Sequence, residues 1–499
     1  DMPFLKAILS VSALLFLGRI LGFIREWIIA RQFGADAATD MAIVLITLPD
    51  LMVGLIVSGG FAAAVVPELK RLPPASAYRY FLQVFGLICA GFTVVAFALS
   101  LTAKSVVYLL APGLPQMIVT ENLWLFMITT IAIPLTACSG VLKAKLDANN
   151  LFVFGASGTL IFNATIIAAM ITFGRSDILI AIALGVTGGA LIRLAFQLGG
   201  LRRIWQTPAT SGWFVDTTFL KRLLATVGFA SLLTLLPVIA RSLASLQAEG
   251  ALSLFNYAFR LMELPTTLVI GALSTVLLPR IATDVHNANT DVIMQTVKTA
   301  LRYGLLVSIA IAIPTIIFAA ELVAFIFGHT QLDATQLTII TQMVVIGFIA
   351  FPLRSVLLLY IPICAAFRTQ GALIVGATLI LLSLIALSFG LTSNWGVAST
   401  MMAYAGANAI GAAFLTAVLI HKMGARLLHD IFAHFGTTFL LPIVGGLSVC
   451  LMGKSFFITP FPIFIVGSLS VVAFFCLLVW QDHDANHLFK KRFARGRQA

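Results

Sequence analysis

The sequence predicts an all-α polytopic membrane protein, and three observations carry that prediction. Hydrophobic residues make up 60% of the 499 residues and charged residues only 10%, whereas about a quarter of a soluble globular chain is charged. Apolar runs of roughly 20 residues or more, enough to cross a hydrocarbon core of about 30 Å, recur along the whole length. The apolar/polar alternation of barrel strands does not occur, so the spans are helices.

Polar breaks between these runs place about fourteen transmembrane helices, near 5–33, 38–68, 78–103, 119–146, 151–174, 177–204, 217–248, 251–283, 291–327, 334–367, 371–391, 395–421, 431–453 and 461–481. The first opens at Lys6 like a signal peptide. It runs past Arg19 to Ile29 without a small-residue cleavage site, so it is expected to stay as a spanning helix. The second carries Pro49, a candidate kink. Between the sixth and seventh, WQTPATSGWFVD (Trp205–Asp216) breaks the apolar pattern with Pro208, Ser211 and Gly212. The expected organisation is an N-terminal lobe (1–204), a linker (205–216), a C-terminal lobe (217–429), two further helices (430–482) and a basic tail (483–499). A faint repeat relates the two six-helix lobes. Leu48-Pro49, Gly59 and Pro67 of the second helix match Leu264-Pro265, Gly271 and Pro279 of the eighth, with the same Gly-to-Pro spacing. An even number of helices per lobe makes these parallel repeats, with a site expected between them.

The net charge is +12, but it is spread over short clusters in alternate connections, not gathered into a nucleic-acid patch. Lys70, Arg71 and Arg79, then Lys143 and Lys145, then Arg202, Arg203, Lys221 and Arg222, then Arg280, Arg368, Lys422 and Arg426, and finally Lys490 to Arg497 fall on one side. The positive-inside rule puts both termini in the cytoplasm. The five cysteines lie within apolar runs at no metal-like spacing. No Walker A or HExxH motif occurs. An enzyme, a metal centre, a bound cofactor and a nucleic-acid partner are therefore not expected.

Charges inside the spans single out candidate site residues, because a charge facing lipid at the membrane centre costs at least about 2.5–3.5 kcal/mol. On the eighth helix, Ser253, Asn256, Arg260, Glu263, Thr267, Gly271 and Ser274 share one face. The first helix carries Arg19, Arg25 and Glu26, together with a Gly18-x-x-x-Gly22 spacing suited to close helix contact. The second aligns Asp40, Thr47, Asp50, Gly54 and Ser58. Plainer readings stand beside the functional one. Arg31 and Asp40 fit an outer interface, Arg260 and Glu263 fit a self-contained i,i+3 ion pair, and Arg241 and Arg354 fit structural or snorkelling roles. Arg19 and Arg25 exceed their neighbour Glu26 by one charge, which suits an anionic ligand. Arginine's planar fork favours phosphate or carboxylate, so converging arginines would suit a diphosphate.

NYAFRLMELP followed by GALSTVLLPRIA, and GRILGFIREWIIARQFGADAATD near the start, resemble the signatures of the MurJ/MviN lipid II flippases of the multidrug/oligosaccharidyl-lipid/polysaccharide exporter superfamily. The likeness continues through LPD and VVPEL of the second helix. It implies fourteen helices in the pattern six, six and two, the last pair forming a groove for a lipid tail. The implied activity is export of an undecaprenyl-diphosphate-linked saccharide across a bacterial cytoplasmic (inner) membrane, by alternating access. Arg19, Arg25 and Arg260 match the family's substrate-binding cavity arginines, and Asp40 its acidic position. Asp50, Glu26 and Glu263 join Asp40 as cavity charges. Membrane potential or an ion gradient would drive the cycle, and the chain is expected as a monomer among membrane lipids and cell-envelope synthesis proteins. The family's basic pair after LPD is replaced here by residues including Val53 and Gly54. An exopolysaccharide or O-antigen unit on the same carrier is an alternative cargo. A cation-coupled multidrug exporter fits less well, because the intramembrane charges lean basic.

Overall fold

The structure, a computed structural model, describes residues 2–57, 60–173, 177–204, 212–266, 290–366 and 370–423. Helices thirteen and fourteen, the basic tail, linker residues 205–211, Gly59, Thr267, Gly271, Ser274, Pro279, Arg280 and Arg368 lie outside the described residues. The elements are helices: α1 (Met2–Phe33), α2 (Ala37–Val57), α3 (Gly60–Arg71), α4 (Pro74–Leu101), α5 (Ala103–Leu110), α6 (Gln116–Thr130), α7 (Ala132–Ala148), α8 (Phe152–Phe173) and α9 (Ile178–Leu201). Then follow α10 (Thr217–Ser245), α11 (251–266), α12 (Thr290–Ile317), α13 (Ala319–Phe327), α14 (Ala334–Ala366), α15 (Gln370–Trp395) and α16 (Ser399–Met423). Among the described residues, nine helices are long and apolar enough to cross a membrane.

Local chemistry sets several boundaries. Asp177 and Asp216 accept hydrogen bonds from the amides of Ile180 (3.2 Å) and Phe219 (2.7 Å), capping α9 and α10. The apolar run 119–146, expected as one helix, breaks at Ile131. Pro134 has no N–H for the carbonyl four residues back, so the ladder cannot continue unbroken. After the linker, the carbonyl of Gly212 (φ +139°) accepts from Arg79 Nε (2.9 Å) and Gln83 Nε2 (2.8 Å), and Gln83 Oε1 accepts from the Phe214 amide (2.9 Å). That ties the end of the linker to α4.

By internal contact the chain divides into two compact units, Asp1–Tyr257 with Thr330–Leu332, and the remainder; the division falls inside α11. The first unit has two apolar clusters. One gathers Met41–Ile46 of α2 with Val107, Phe126, Phe162, Ile166, Ile182 and Val186. The other gathers Met52 and Leu55 of α2 with Val65, Phe81, Val84, Val141 and Leu146. Because α2 feeds both, it is the axis of the unit: 72% of its span is buried, against 17% for α4. The exposed side chains of α4 include Val94, Phe97 and Leu101, an outward apolar surface that suits lipid. In the second unit, α14 packs on α12 and α16, and α15 lies on α16.

Candidate functional site

The first unit buries a network of charges built outward from α1. A Cβ on Gly18 would come within 3.1 Å of the Leu160 amide nitrogen, and one on Gly22 within 3.3 Å of Asn163 Nδ2, so the two glycines let α1 and α8 approach closely. The approach delivers Asn163, whose Nδ2 donates to the Gly18 carbonyl (3.0 Å) and whose Oδ1 accepts from Arg25 Nη1 (2.9 Å). Arg25 is 1% exposed. Its Nη1 and Nη2 grip the two oxygens of Asp50 at 3.2 and 2.9 Å, and Nη2 also reaches Glu26 Oε1 at 2.7 Å. Glu26 Oε2 accepts from Asn256 Nδ2 (2.9 Å), and Asn256 Oδ1 accepts from Arg241 Nη1 (3.3 Å). Arg241 also donates through Nε to the Pro237 carbonyl (3.2 Å), in keeping with a structural role. Two arginines and two carboxylates thus balance, bridged by two asparagines. Asp50 of α2 gives Arg25 a second carboxylate beside Glu26.

Asp40, 3% exposed, lies nearer one end of the same unit. Its Oδ2 accepts from the Gly250 amide (3.1 Å), and its Oδ1 accepts from both the amide (2.9 Å) and the hydroxyl of Ser253. A carboxylate from α2 therefore satisfies the orphan N–H groups at the start of α11 and faces the positive end of its dipole. The favour is returned: Glu249 Oε1 accepts from the amide of Ala37, the first residue of α2 (3.3 Å). Both turns hinge on a glycine at φ +76°, Gly34 and Gly250. Neither tolerates a side chain, since a Cβ would lie 2.7 Å from the Gln331 carbonyl oxygen and 2.3 Å from that of Ala35, respectively. Tyr257 closes the arrangement by donating to the Gly34 carbonyl (2.8 Å).

In the second unit, Arg260 Nη1 bonds Glu263 Oε2 at 2.7 Å, an i,i+3 pair that is mostly buried. The guanidinium of Arg354 stacks over Phe259 (5.2 Å) and Tyr404 (5.5 Å). Arg19 is partly exposed on α1. The structure therefore joins Arg25, Glu26 and Asp50, sets Asp40 on the start of α11, and pairs Arg260 with Glu263. Asn163 and Glu249 were not anticipated. For Asn163 the signal existed, as a lone amide in the apolar run FVFGASGTLIFNATII. Glu249 bonds a backbone amide 212 positions away, which nothing in the local sequence announces.

Chemically, an arginine fork closed on a carboxylate is a site where one oxyanion stands in for another. Carboxylate and phosphate present paired oxygens to the same two N–H groups. The profile of the family described as lipid II flippase MurJ matches residues 29–475. A lipid II flippase MurJ of Burkholderia cenocepacia is 30% identical over 369 residues, 68% of this chain and 69% of that protein. The solved structure of a lipid II flippase MurJ in an inward closed conformation aligns with a TM-score of 0.77 at 20% identity, over 94% of this chain and 98% of that one. An inward-facing MATE multidrug-resistance transporter of the MOP superfamily aligns at 0.66 and 11% identity, over 83% and 94%. The two structural likenesses concern the fold, while the profile match over most of the sequence concerns descent: the chain belongs to the lipid II flippase MurJ family.

Proposed function

We propose that this chain flips lipid II, an undecaprenyl-diphosphate-linked saccharide, from the cytoplasmic to the periplasmic leaflet of the bacterial inner membrane. The family match over residues 29–475 carries the reading. The fuller topology belongs to the same proposal: fourteen helices as two six-helix lobes and a terminal pair, divided at 205–216, with both termini cytoplasmic and a monomeric chain. Arg19, Arg25 and Arg260 are the diphosphate-binding cations, and Glu26, Asp40, Asp50 and Glu263 the charges that balance or gate them.

The geometry supports an exchange mechanism. Asp50, whose side chain is 18% exposed, holds both terminal nitrogens of Arg25, and Glu263 holds Arg260. An incoming diphosphate would take over those forks. The displaced carboxylates would reclaim the arginines once the lipid leaves, which resets the carrier without leaving a bare charge in the membrane. Alternating access then needs a ligand that binds the two states differently, and a group that competes with an internal carboxylate does so. The test is rescue of a strain depleted of its lipid II flippase. The wild-type chain is expected to restore growth and Arg25→Ala to fail at equal expression. A well-expressed wild-type chain that does not rescue would sink the lipid II assignment.

A further inference from the structure

A further intramembrane arginine of the first unit stands outside this network. Arg193, on α9, is 1% exposed, and among the described residues its Nε and Nη1 have no hydrogen-bond partner. One turn on, Gln197 is fully buried; its Oε1 accepts from the Ser139 hydroxyl (2.6 Å), and its Nε2 has no acceptor among the described residues. The hydroxyl of Thr136, one turn before Ser139 on α7, is likewise buried and unpartnered. Two of these donors converge beside Gly158 of α8: a Cβ there would lie 2.7 Å from Arg193 Nε and 3.3 Å from Gln197 Nε2. Glycine at 158 is what lets them come so close to the α8 backbone.

These orphans share one sign. Guanidinium and amide N–H groups only donate, and the threonine hydroxyl donates as readily as it accepts. The guanidinium stays charged when buried, and no carboxylate among the described residues pairs with it. Turning the Gln197 amide over would hand Arg193 an oxygen but no counter-charge, and a water molecule would do the same. A bulky phosphate is excluded because both side chains are enclosed. We propose that Arg193 and Gln197 form a buried site for a small monovalent inorganic anion of the chloride class, separate from the lipid-binding arginines.

The full-length protein, crystallised in sodium bromide, should show an anomalous peak against the Arg193 guanidinium and the Gln197 amide. In nanodiscs at constant ionic strength, replacing chloride by gluconate should lower its melting temperature by a few degrees, since a ligand that binds only the folded state stabilises it. Gln197→Glu, which is isosteric and brings its own carboxylate to Arg193, should abolish that halide dependence while remaining folded. No bromide at this position overturns the proposal. A peak without any halide effect on wild-type melting would mean an adventitious ion only and overturns it too, as would a Gln197→Glu variant that keeps the full chloride response.

Discussion

Arg25 and Arg193 carry the same charge at the same 1% exposure and touch the same helix, α8, at Asn163 and Gly158. Those positions are five residues apart, so they lie about 140° apart around the helix. The surroundings differ completely. Arg25 is met by two carboxylates from α1 and α2, whereas the polar group placed beside Arg193 is another donor, Gln197 Nε2. Since neither arginine can shed its proton, the difference is one of exchangeability. Carboxylates on partly exposed side chains such as Asp50 can give way to a ligand and return. Buried donors with no carboxylate beside them can only hold a small ion. The first arrangement suits a transport cycle and the second a fixed support.

Breaking the first arrangement is expected to have the largest effect. Arg25→Leu removes the cation that pairs with both Glu26 and Asp50, and removing one partner of a buried pair costs about 3–5 kcal/mol. Melting in nanodiscs should report that loss, and complementation should report loss of flipping. The double variant Arg25→Leu, Asp50→Asn, which leaves Glu26 and Arg241 as equal and opposite charges, should recover most of the stability and none of the transport. If it stays as unstable as the single variant, charge balance is not what the network supplies. In both, the chloride response assigned to Arg193 should persist, because the two clusters share no partner.

Next come the turns that anchor the network. Gly250→Ala forces an L-residue to φ +76° and drives a Cβ toward the Ala35 carbonyl. The left-handed conformation and the overpacking together should cost roughly 2–4 kcal/mol. Gly158→Ala, in the other cluster, keeps an ordinary helical backbone and meets side-chain atoms in place of backbone, so it should cost less while weakening the halide response. Asp40→Ala removes the acceptor for three donors at the start of α11 and is expected to cost about 1–2 kcal/mol, the upper range for a lost helix cap. Asp40→Asn keeps one oxygen and should lose about half as much. Equal melting of all three proteins would remove the capping role of Asp40.

How much of this could be read from sequence varies with the kind of partner. Helix positions were legible because apolar runs and polar breaks are local: 177–204 is observed as Ile178–Leu201 followed by a short 3-10 turn, and 217–248 as Thr217–Ser245. The break at Ile131 was there to be read in Pro134. Ser253 and Asn256 were legible as polar residues in need of a partner. What they meet, Asp40 and Glu26, lies 213 and 230 positions away, and no spacing rule reaches that far. Asp40 read locally as an interfacial residue, because its partners at Gly250 and Ser253 are largely backbone amides, which have no sequence signature. Arg193 was visible as a charge in an apolar run but has no oppositely charged residue three or four places away to draw attention.

The smallest effect is expected at Glu249. Its relation to Ala37 mirrors that of Asp40 to Ser253, yet the symmetry is geometric and not energetic. Asp40 is buried and accepts three hydrogen bonds, while Glu249 is exposed and accepts one, at 3.3 Å. Water can replace an exposed acceptor, and the start of α2 already has Asp36, whose Oδ1 accepts from the Thr39 amide and hydroxyl at 2.8 Å. Glu249→Gln keeps an oxygen in place and changes only a screened charge, so melting should stay within about 0.5 kcal/mol of wild type. Glu249→Ala combined with Asp36→Ala should raise the cost toward that of Asp40→Ala, because the α2 start then has neither its own cap nor the borrowed one. A large loss from Glu249→Gln alone would mean that the two turns depend on each other equally, and that the end of the unit where they meet is held by a mutual pair of caps.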